Sequence, residues 1–339
     1  MKIPKVANGF MPLILLIVGA NLHSQTAPSE KTSRLASSQS VDAFLGRWDL
    51  TLQAPDHEYP SWLELSQDGG QLKAVLVARW GHARALPKVE LSNGKLSFVS
   101  PKEEEASPTD MIFHGSLLGQ TLSGTVNGPD GKTWQWTGQR APTLARSGTP
   151  KWAKPIPLFN GKDLSGWRME GPGTTRWKVE NGLLITPGSG PELISNSKFE
   201  DFKLHVEFNA DPDSNSGVYL RGRYEVQVET DSLDEPPSHR MAGVYGFLAA
   251  TPEQLRKPGE WQTFDITLIG RRVSVVQNGQ TVIADQEIPG ITGGALDSHE
   301  QLPGSIYLQG SEKGRVAYRN IIITPAEKLR GANPCRRTP

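Results

Sequence analysis

The clearest pattern of apolar and polar positions runs from Asp211 to Glu229. It opens with a loop of turn formers, Asp211-Pro212-Asp213-Ser214-Asn215-Ser216-Gly217. Val218 and Leu220 then alternate with Tyr219 and Arg221. Beyond Gly222, Tyr224, Val226 and Val228 alternate with Arg223, Glu225, Gln227 and Glu229. A period of two is the strand period, so the stretch predicts two strands, each with one side on a core. The opposite side carries Arg, Glu and Gln where a solvent face more often carries Lys, Thr and Ser, which makes it a candidate polar binding surface.

Similar short runs divide the rest of the chain. Between residues 42 and 142, strands are predicted at Gly46 to Leu52, Ser61 to Leu65, Gln71 to Val77, Val89 to Leu91, Leu96 to Val99, Met111 to Gly115, Gln120 to Val126 and Thr133 to Thr137. Asn93-Gly94 marks a hairpin among them. Lys102-Glu103-Glu104-Glu105 reads as a solvated loop. Gly128 to Thr133 superficially suggests a phosphate loop, but its glycine spacing is wrong and no helix follows, so it reads as a turn. Residues 143–155 read as a Pro-rich linker.

From residue 156 to 325, alternation predicts ten or more further strands, with hairpins at Asn181-Gly182 and Asn278-Gly279 and one short helical turn at Thr251 to Leu255. The expected fold is all-β: a small N-terminal antiparallel barrel or sandwich, then a two-sheet jelly roll.

Composition supports this reading and narrows the setting. The 339 residues include 35 Gly and 26 Pro, suited to short strands and tight turns. Basic and acidic residues balance at 36 each, so no net field favours nucleic acid or acidic membranes. Lys2 and Lys5 precede the apolar run Phe10 to Ala20, which is too short to span a bilayer comfortably and resembles a secretion signal over residues 1–24. Export to a periplasm or the extracellular space is expected, without stable membrane insertion after cleavage. Residues 25–41 read as a disordered leader and 326–339 as a flexible tail. No Cys follows the apolar run, which argues against a lipoprotein. The single cysteine, Cys335, rules out an internal disulfide.

Candidate chemistry is limited by what the chain lacks. It has no Gly-x-Ser-x-Gly elbow and no Cys/His zinc spacing. The polar sheet face remains. His205 and Glu207 alternate to the side opposite Leu204, Val206 and Phe208. If that strand neighbours the central hairpin, His205, Glu207, Tyr219, Arg221, Glu225 and Gln227 share one surface. Carboxylates beside Arg and His can act as general base, acid and anion stabiliser, or simply form cross-strand ion pairs. Asp211, Asp213 and Asn215 supply oxygens but lack a full calcium-loop pattern, and read as a turn. Trp177 and Trp261 read as core residues.

Several motifs resemble those of one family. Leu158-Phe159-Asn160-Gly161-Lys162-Asp163-Leu164-Ser165-Gly166-Trp167 looks like the opening signature of the 3-keto-disaccharide hydrolase domain family. Asn215 to Gly222, followed by Tyr224 to Val228, resembles its central signature. Gly259 to Ile266 with Asn278-Gly279, and the closing Arg319-Asn320-Ile321, are similar to later ones. The resemblance covers about residues 156–325 and implies a concanavalin A-like jelly roll acting on carbohydrate. Similar domains often read Leu-Gln-Asp/Asn-His-Gly near the end, whereas this chain has Leu308-Gln309-Gly310-Ser311-Glu312-Lys313-Gly314.

The implied reaction starts from a sugar with a ketone at C3. A carboxylate removes the acidified C2 proton, the C1 substituent leaves by elimination, and water adds. This differs from glycosidases that work through an oxocarbenium-like state. The candidate catalytic residues are Glu225 or Glu207 as base and Arg221 as anchor of the enolate. His205, Asn215, Tyr219, Gln227, Tyr245 and Gln309 are the candidate substrate contacts. No cofactor is assigned, and a divalent cation stays open as an alternative stabiliser of the enolate. The alternative to an enzyme is a noncatalytic carbohydrate-binding jelly roll, because one fold hosts both.

Overall fold

The computed structural model describes residues 40–79, 81–170, 176–186, 188, 191–230, 234–254, 257–311 and 313–327. The expected signal sequence, most of the expected leader, Leu255, Glu312 and most of the expected tail, including Cys335, lie outside the described residues. Residues 40–327 belong to one compact unit.

Nine strands form the first sheet: β1 (Gly46–Gln53), β2 (Glu58–Asp68), β3 (Gln71–Val77), β4 (Arg84–Ala85), β5 (Lys88–Ser92), β6 (Lys95–Ser100), β7 (Met111–Leu118), β8 (Thr121–Asn127) and β9 (Thr133–Arg140). They run in the order β4-β3-β2-β1-β9-β8-β7-β6-β5, every neighbour pair antiparallel, and the sheet curls until β3 and β5 approach each other. The curl has a simple cause. Trp48, Leu50 and Leu52 alternate on β1, and with Leu63, Leu65, Phe98, Phe113 and Trp136 they fill one interior. Asn93 and Gly94 both take positive φ in the β5–β6 turn, as a two-residue hairpin with matching twist requires.

One expectation holds only in part. Lys102, Glu103 and Glu104 are exposed, but Glu105 of the same loop is 0% exposed. Arg84 Nη2 reaches Glu105 Oε1 at 2.5 Å, Ser100 Oγ donates to the same oxygen at 2.8 Å, and Arg79 Nε lies 3.6 Å from Oε2. The run of like charges looked solvated because its two Arg partners come from a distant part of the chain.

Thirteen strands make the second region: β10 (Ile156–Pro157), β11 (Trp167–Met169), β12 (Lys178–Glu180), β13 (Leu183–Thr186), β14 (Leu193–Phe199), β15 (Phe202–Ala210), β16 (Asn215–Leu220), β17 (Tyr224–Glu229), β18 (Trp261–Ile269), β19 (Arg272–Gln277), β20 (Gln280–Glu287), β21 (Gly304–Leu308) and β22 (Val316–Pro325). An eight-stranded sheet has the order β12-β13-β22-β15-β18-β19-β20, with β10 also paired to β22. A five-stranded sheet has the order β11-β14-β21-β16-β17. Their facing sides share one apolar cluster that includes Val206, Phe208, Phe264 and Ile321 of the larger sheet with Val218, Tyr224, Val226 and Leu308 of the smaller. This is the two-sheet jelly roll that the alternation predicts.

The helical turn expected from Thr251 is absent: residues 251–254 are bends and coil. Trp177 is core at 3% exposure, but Trp261 is exposed at 36%, because it starts β18 and its ring lies under the Arg319 guanidinium, 3.8 Å away.

The two β regions share apolar packing. Trp62 and Val77 of the first sheet belong to the jelly-roll core cluster, and Trp62 meets Phe247 edge-on at 5.5 Å. The connecting segment is docked as well: Arg146 Nε donates to Asp201 Oδ2 at 2.9 Å, and Ala153 N to Pro325 O at 2.9 Å.

Removing Glu105 would leave two buried guanidinium groups without their carboxylate. Glu105→Ala is therefore expected to lower the unfolding free energy by about 3–5 kcal/mol. Lys102→Ala in the same loop, which is solvent-facing, should change it by less than about 0.5 kcal/mol. Urea titration of the two variants checks this, and equal losses would contradict the buried-pair account.

Candidate active site

The central hairpin falls where its alternation puts it. On β16 and β17, Val218, Leu220, Tyr224, Val226 and Val228 face the core. Tyr219 and Gln227 face the other way with Glu225, and the register sets Tyr219 opposite Glu225 and Gly217 opposite Gln227. From β21, Tyr307 joins this polar side, with Gln309 just past its end. These groups line a cavity of about 210 Å³ together with Glu192, Asn215, Tyr245, Gly293 and Gly294.

Glu225 is only 3% exposed. The Tyr219 hydroxyl lies 2.8 Å from Glu225 Oε2 and 2.9 Å from the Gly293 carbonyl oxygen. Burial, and then the Glu225 charge, push the Tyr219 phenol well above its ordinary range, so it stays protonated and donates. Tyr307 stacks on Tyr219 with centroids 4.1 Å apart and is raised by burial and then by Glu192. Two glycines make room. A Cβ on Gly217 would collide with the Glu225 carboxylate, and one on Gly294 would come within 2.6 Å of the Tyr219 hydroxyl.

The amide side chains complete the site. Gln227 Nε2 donates to the His239 carbonyl at 3.1 Å. Gln227 Oε1 and Gln309 Oε1 are buried and accept no hydrogen bond. A buried acceptor without a donor costs roughly 1–3 kcal/mol, so two on one cavity wall point to a ligand with hydroxyl or amide hydrogens.

Of the candidates proposed from the sequence, Asn215, Tyr219, Glu225, Gln227, Tyr245 and Gln309 therefore come together. His205, Glu207 and Arg221 do not. The shared surface assumed β15 beside the hairpin, but β15 pairs with β18 and β22 in the other sheet. There Glu207 accepts from Arg319 Nε and Asn320 Nδ2, both at 2.6 Å, while His205 Nδ1 lies 2.7 Å from Asp265 Oδ1. Partial burial opposes ionisation of Glu207, but the bonds from Asn320 and Arg319 outweigh it and hold the carboxyl below its usual range.

Arg221 sits in the β16–β17 turn with φ of 54°, not on the strand face. Its Nη2 donates to the Glu300 carbonyl at 2.5 Å and lies 3.2 Å from the Tyr224 hydroxyl. The Glu300 carboxylate takes the Tyr224 hydroxyl at 2.6 Å and Arg271 Nη1 at 3.1 Å. Arg223 turns to Asp297 instead, at 2.8 Å. These arginines brace the segment beside the cavity.

Sequence reading missed Glu192 and Tyr307. Tyr307 was accessible in principle, being two residues from Gln309 on a strand and hence on the same side. Glu192 directly precedes β14, whose short apolar start gave no alternation to extend.

Among the described residues, no group of three or more His, Cys, Asp and Glu side chains could hold a metal ion. The cavity carboxylates do not by themselves form a cage of the kind hard cations require.

The fold and site define a β-sandwich whose cavity carries two carboxylates and two amide oxygens without donors, a make-up suited to a ligand rich in hydrogen-bond donors. The family described as "3-keto-alpha-glucoside-1,2-lyase-like domain" matches residues 154–324, and the chain belongs to it. The 3-keto-disaccharide hydrolase of Bacteroides thetaiotaomicron (strain ATCC 29148) is 25% identical over 165 residues, a match covering 38% of this chain and 57% of that protein. The match thus spans little more than half of the relative's length. Two solved structures, each titled a "putative glycosyl hydrolase" from Parabacteroides distasonis ATCC 8503, are also similar. One is 29% identical with a TM-score of 0.43, covering 50% of this chain and 82% of that one. The other is 25% identical with a TM-score of 0.40, covering 50% and 98%.

The Glu300 network also reaches Asp49 of β1. Burial, then the Glu300 charge, push the Asp49 carboxyl from 3.8 up to about 9. Folding therefore takes up a proton between about pH 3.8 and pH 9, and Asp49's stabilising contribution is complete below that interval and lost as pH rises through it. Asp49→Asn keeps a neutral donor at this place. It should raise the thermal midpoint at pH 8, with the gain shrinking towards pH 4; a pH-independent difference would refute the protonated Asp49.

Proposed function

We propose that the chain cleaves 3-keto-glycosides by proton abstraction at C2, elimination at C1 and hydration, with Glu225 as the general base. The observation that carries this reading is the convergence of Glu225 and Glu192 on a cavity whose buried Gln227 and Gln309 oxygens lack donors. Sugar hydroxyls satisfy those oxygens and hold the ring against the sheet. Glu225 then takes the C2 proton, whose loss the neighbouring C3 ketone makes feasible.

The electron pair released at C2 is held as the C3 enolate, faced by the Asn215 side-chain amide. As the C3 carbonyl re-forms, a C1–C2 double bond appears and the C1–oxygen bond breaks. The departing oxygen takes up a proton from solvent. Water then adds its oxygen at C1 and gives up a proton to solvent, while the proton held by Glu225 returns to C2, so atoms and charges balance over the cycle. Tyr219, kept neutral, fixes the Glu225 carboxylate through its 2.8 Å contact and limits its rotation. Glu207 is unsuited to the role, being ionised and bound to Arg319 and Asn320 on the other sheet. Arg221 supports the site through Glu300 and Tyr224 instead of touching substrate. The reading includes export, on the strength of the charged and apolar start of the chain.

Turnover of a chromogenic 3-keto-glucoside, with the plain glucoside as control, tests the reaction. Glu225→Gln should lower kcat by about 10²–10⁴-fold with KM changed by less than about 3-fold, the signature of a lost general base. Saturable keto-sugar binding with no turnover by the unsubstituted protein would instead establish a binding module.

A further inference from the structure

The cavity is not built by the jelly roll alone. Gly81, in the loop between β3 and β4 of the first sheet, lines it directly. A Cβ on Gly293, itself a cavity residue, would collide with the Gly81 carbonyl, so the two backbones are in contact. Next in the chain, His82 lies against the His239 ring with centroids 4.6 Å apart, and His239 lies 4.6 Å from the ring of Tyr245. His239 is 6% exposed, and its carbonyl holds the Gln227 amide. Directly after Tyr245 in the chain, a Cβ on Gly246 would come within 2.6 Å of His82 Cβ. One residue of the first sheet thus supports two cavity side chains, Tyr245 by ring contact through His239 and Gln227 through the same residue's backbone.

We infer that the N-terminal β region is a wall of the sugar-binding site and that His82 is a positioning residue, holding Tyr245 and Gln227 through His239. The inference rests on reading the cavity as a keto-sugar site and assigns the N-terminal region a part in binding. A fixed first sheet is what makes this physically sound: Trp62 and Val77 are embedded in the jelly-roll core, so the loop is carried on a surface that does not slide. The consequence is a small site. At about 210 Å³ the cavity lies below the roughly 300–1,000 Å³ of drug-sized pockets, and Gly81 bounds it on the side of the first sheet. The ligand class is accordingly a single 3-keto sugar ring with its C1 substituent at the mouth, not an internal stretch of polysaccharide.

His82→Ala removes the ring that backs His239, while His82→Phe keeps an aromatic ring without the imidazole. Two measurements on the full chain separate the outcomes: calorimetric binding of 3-keto-glucose, and turnover of the chromogenic 3-keto-glucoside. His82→Ala should weaken binding and raise KM by about 10-fold with kcat changed by less than about 3-fold, and His82→Phe should restore most of the loss. His114→Ala, an exposed histidine on β7 of the same sheet, should change neither. Unchanged binding and KM in His82→Ala would overturn the positioning role. Equal falls in kcat and binding that His82→Phe does not restore would also overturn it, since they would mark general loss of structure. If the unsubstituted protein binds 3-keto-glucose without turnover, the proposed reaction has failed and the same binding comparison still decides the wall. Neither binding nor turnover by the unsubstituted protein would overturn both.

Discussion

Everything polar around the small sheet is governed by one constraint: both of its faces are covered. One face of β16 and β17 packs into the jelly-roll core, and the other lies under loops and the edge of the first sheet. Glu225, Arg221, Arg223 and Glu300 are consequently removed from water, where an unpartnered charge is costly. Each has found a partner. Tyr219 meets Glu225; Tyr224 and Arg271 meet Glu300; Asp297 meets Arg223. Arg221 Nε and Arg271 Nε remain without acceptors inside that network, whereas the unmet oxygens of Gln227 and Gln309 belong to residues that line the cavity, and they mark the wall on which a ligand is expected.

The same constraint separates two kinds of buried polarity along one hairpin. On the strands, alternation delivers Tyr219, Glu225 and Gln227 to a cavity. At the turn, Gly222 lies against Leu296, and the positive φ of Arg221 swings its side chain away from the strand face into the Glu300 network. The turn therefore anchors residues 297–302 and, through Asp49 and Arg271, the first sheet. Cavity and anchor are a few residues apart in the chain but are built for different purposes.

His205 and Glu207 illustrate the opposite case. They lie on the outer side of the larger sheet with Asp265 and Arg319, which are substantially exposed. Ion pairs there are screened by solvent and contribute little to stability. The cluster has the residue types of a catalytic site without enclosure, and enclosure is what gives a carboxylate leverage on a reacting proton.

Local pattern alone determined a great deal of this protein. A period of two placed most strands, Asn-Gly pairs placed the hairpin turns, and the side of the central hairpin that carries Glu225 and Gln227 followed from alternation. These are properties of neighbouring residues, and backbone geometry leaves them little choice. Which strands share a sheet is different, because β15 could pair with any edge of compatible register, and only the packed fold put it beside β18 and β22 instead of the hairpin. The burial of Glu105 by Arg79 and Arg84, the exposure of Trp261, and the placing of Glu192 and Glu225 on one cavity likewise depend on segments distant in the chain. So is the presence of Gly81 in the cavity wall. Sequence period states which way a side chain points; what it points at is decided by tertiary packing, because burial and pairing depend on segments far away in the chain.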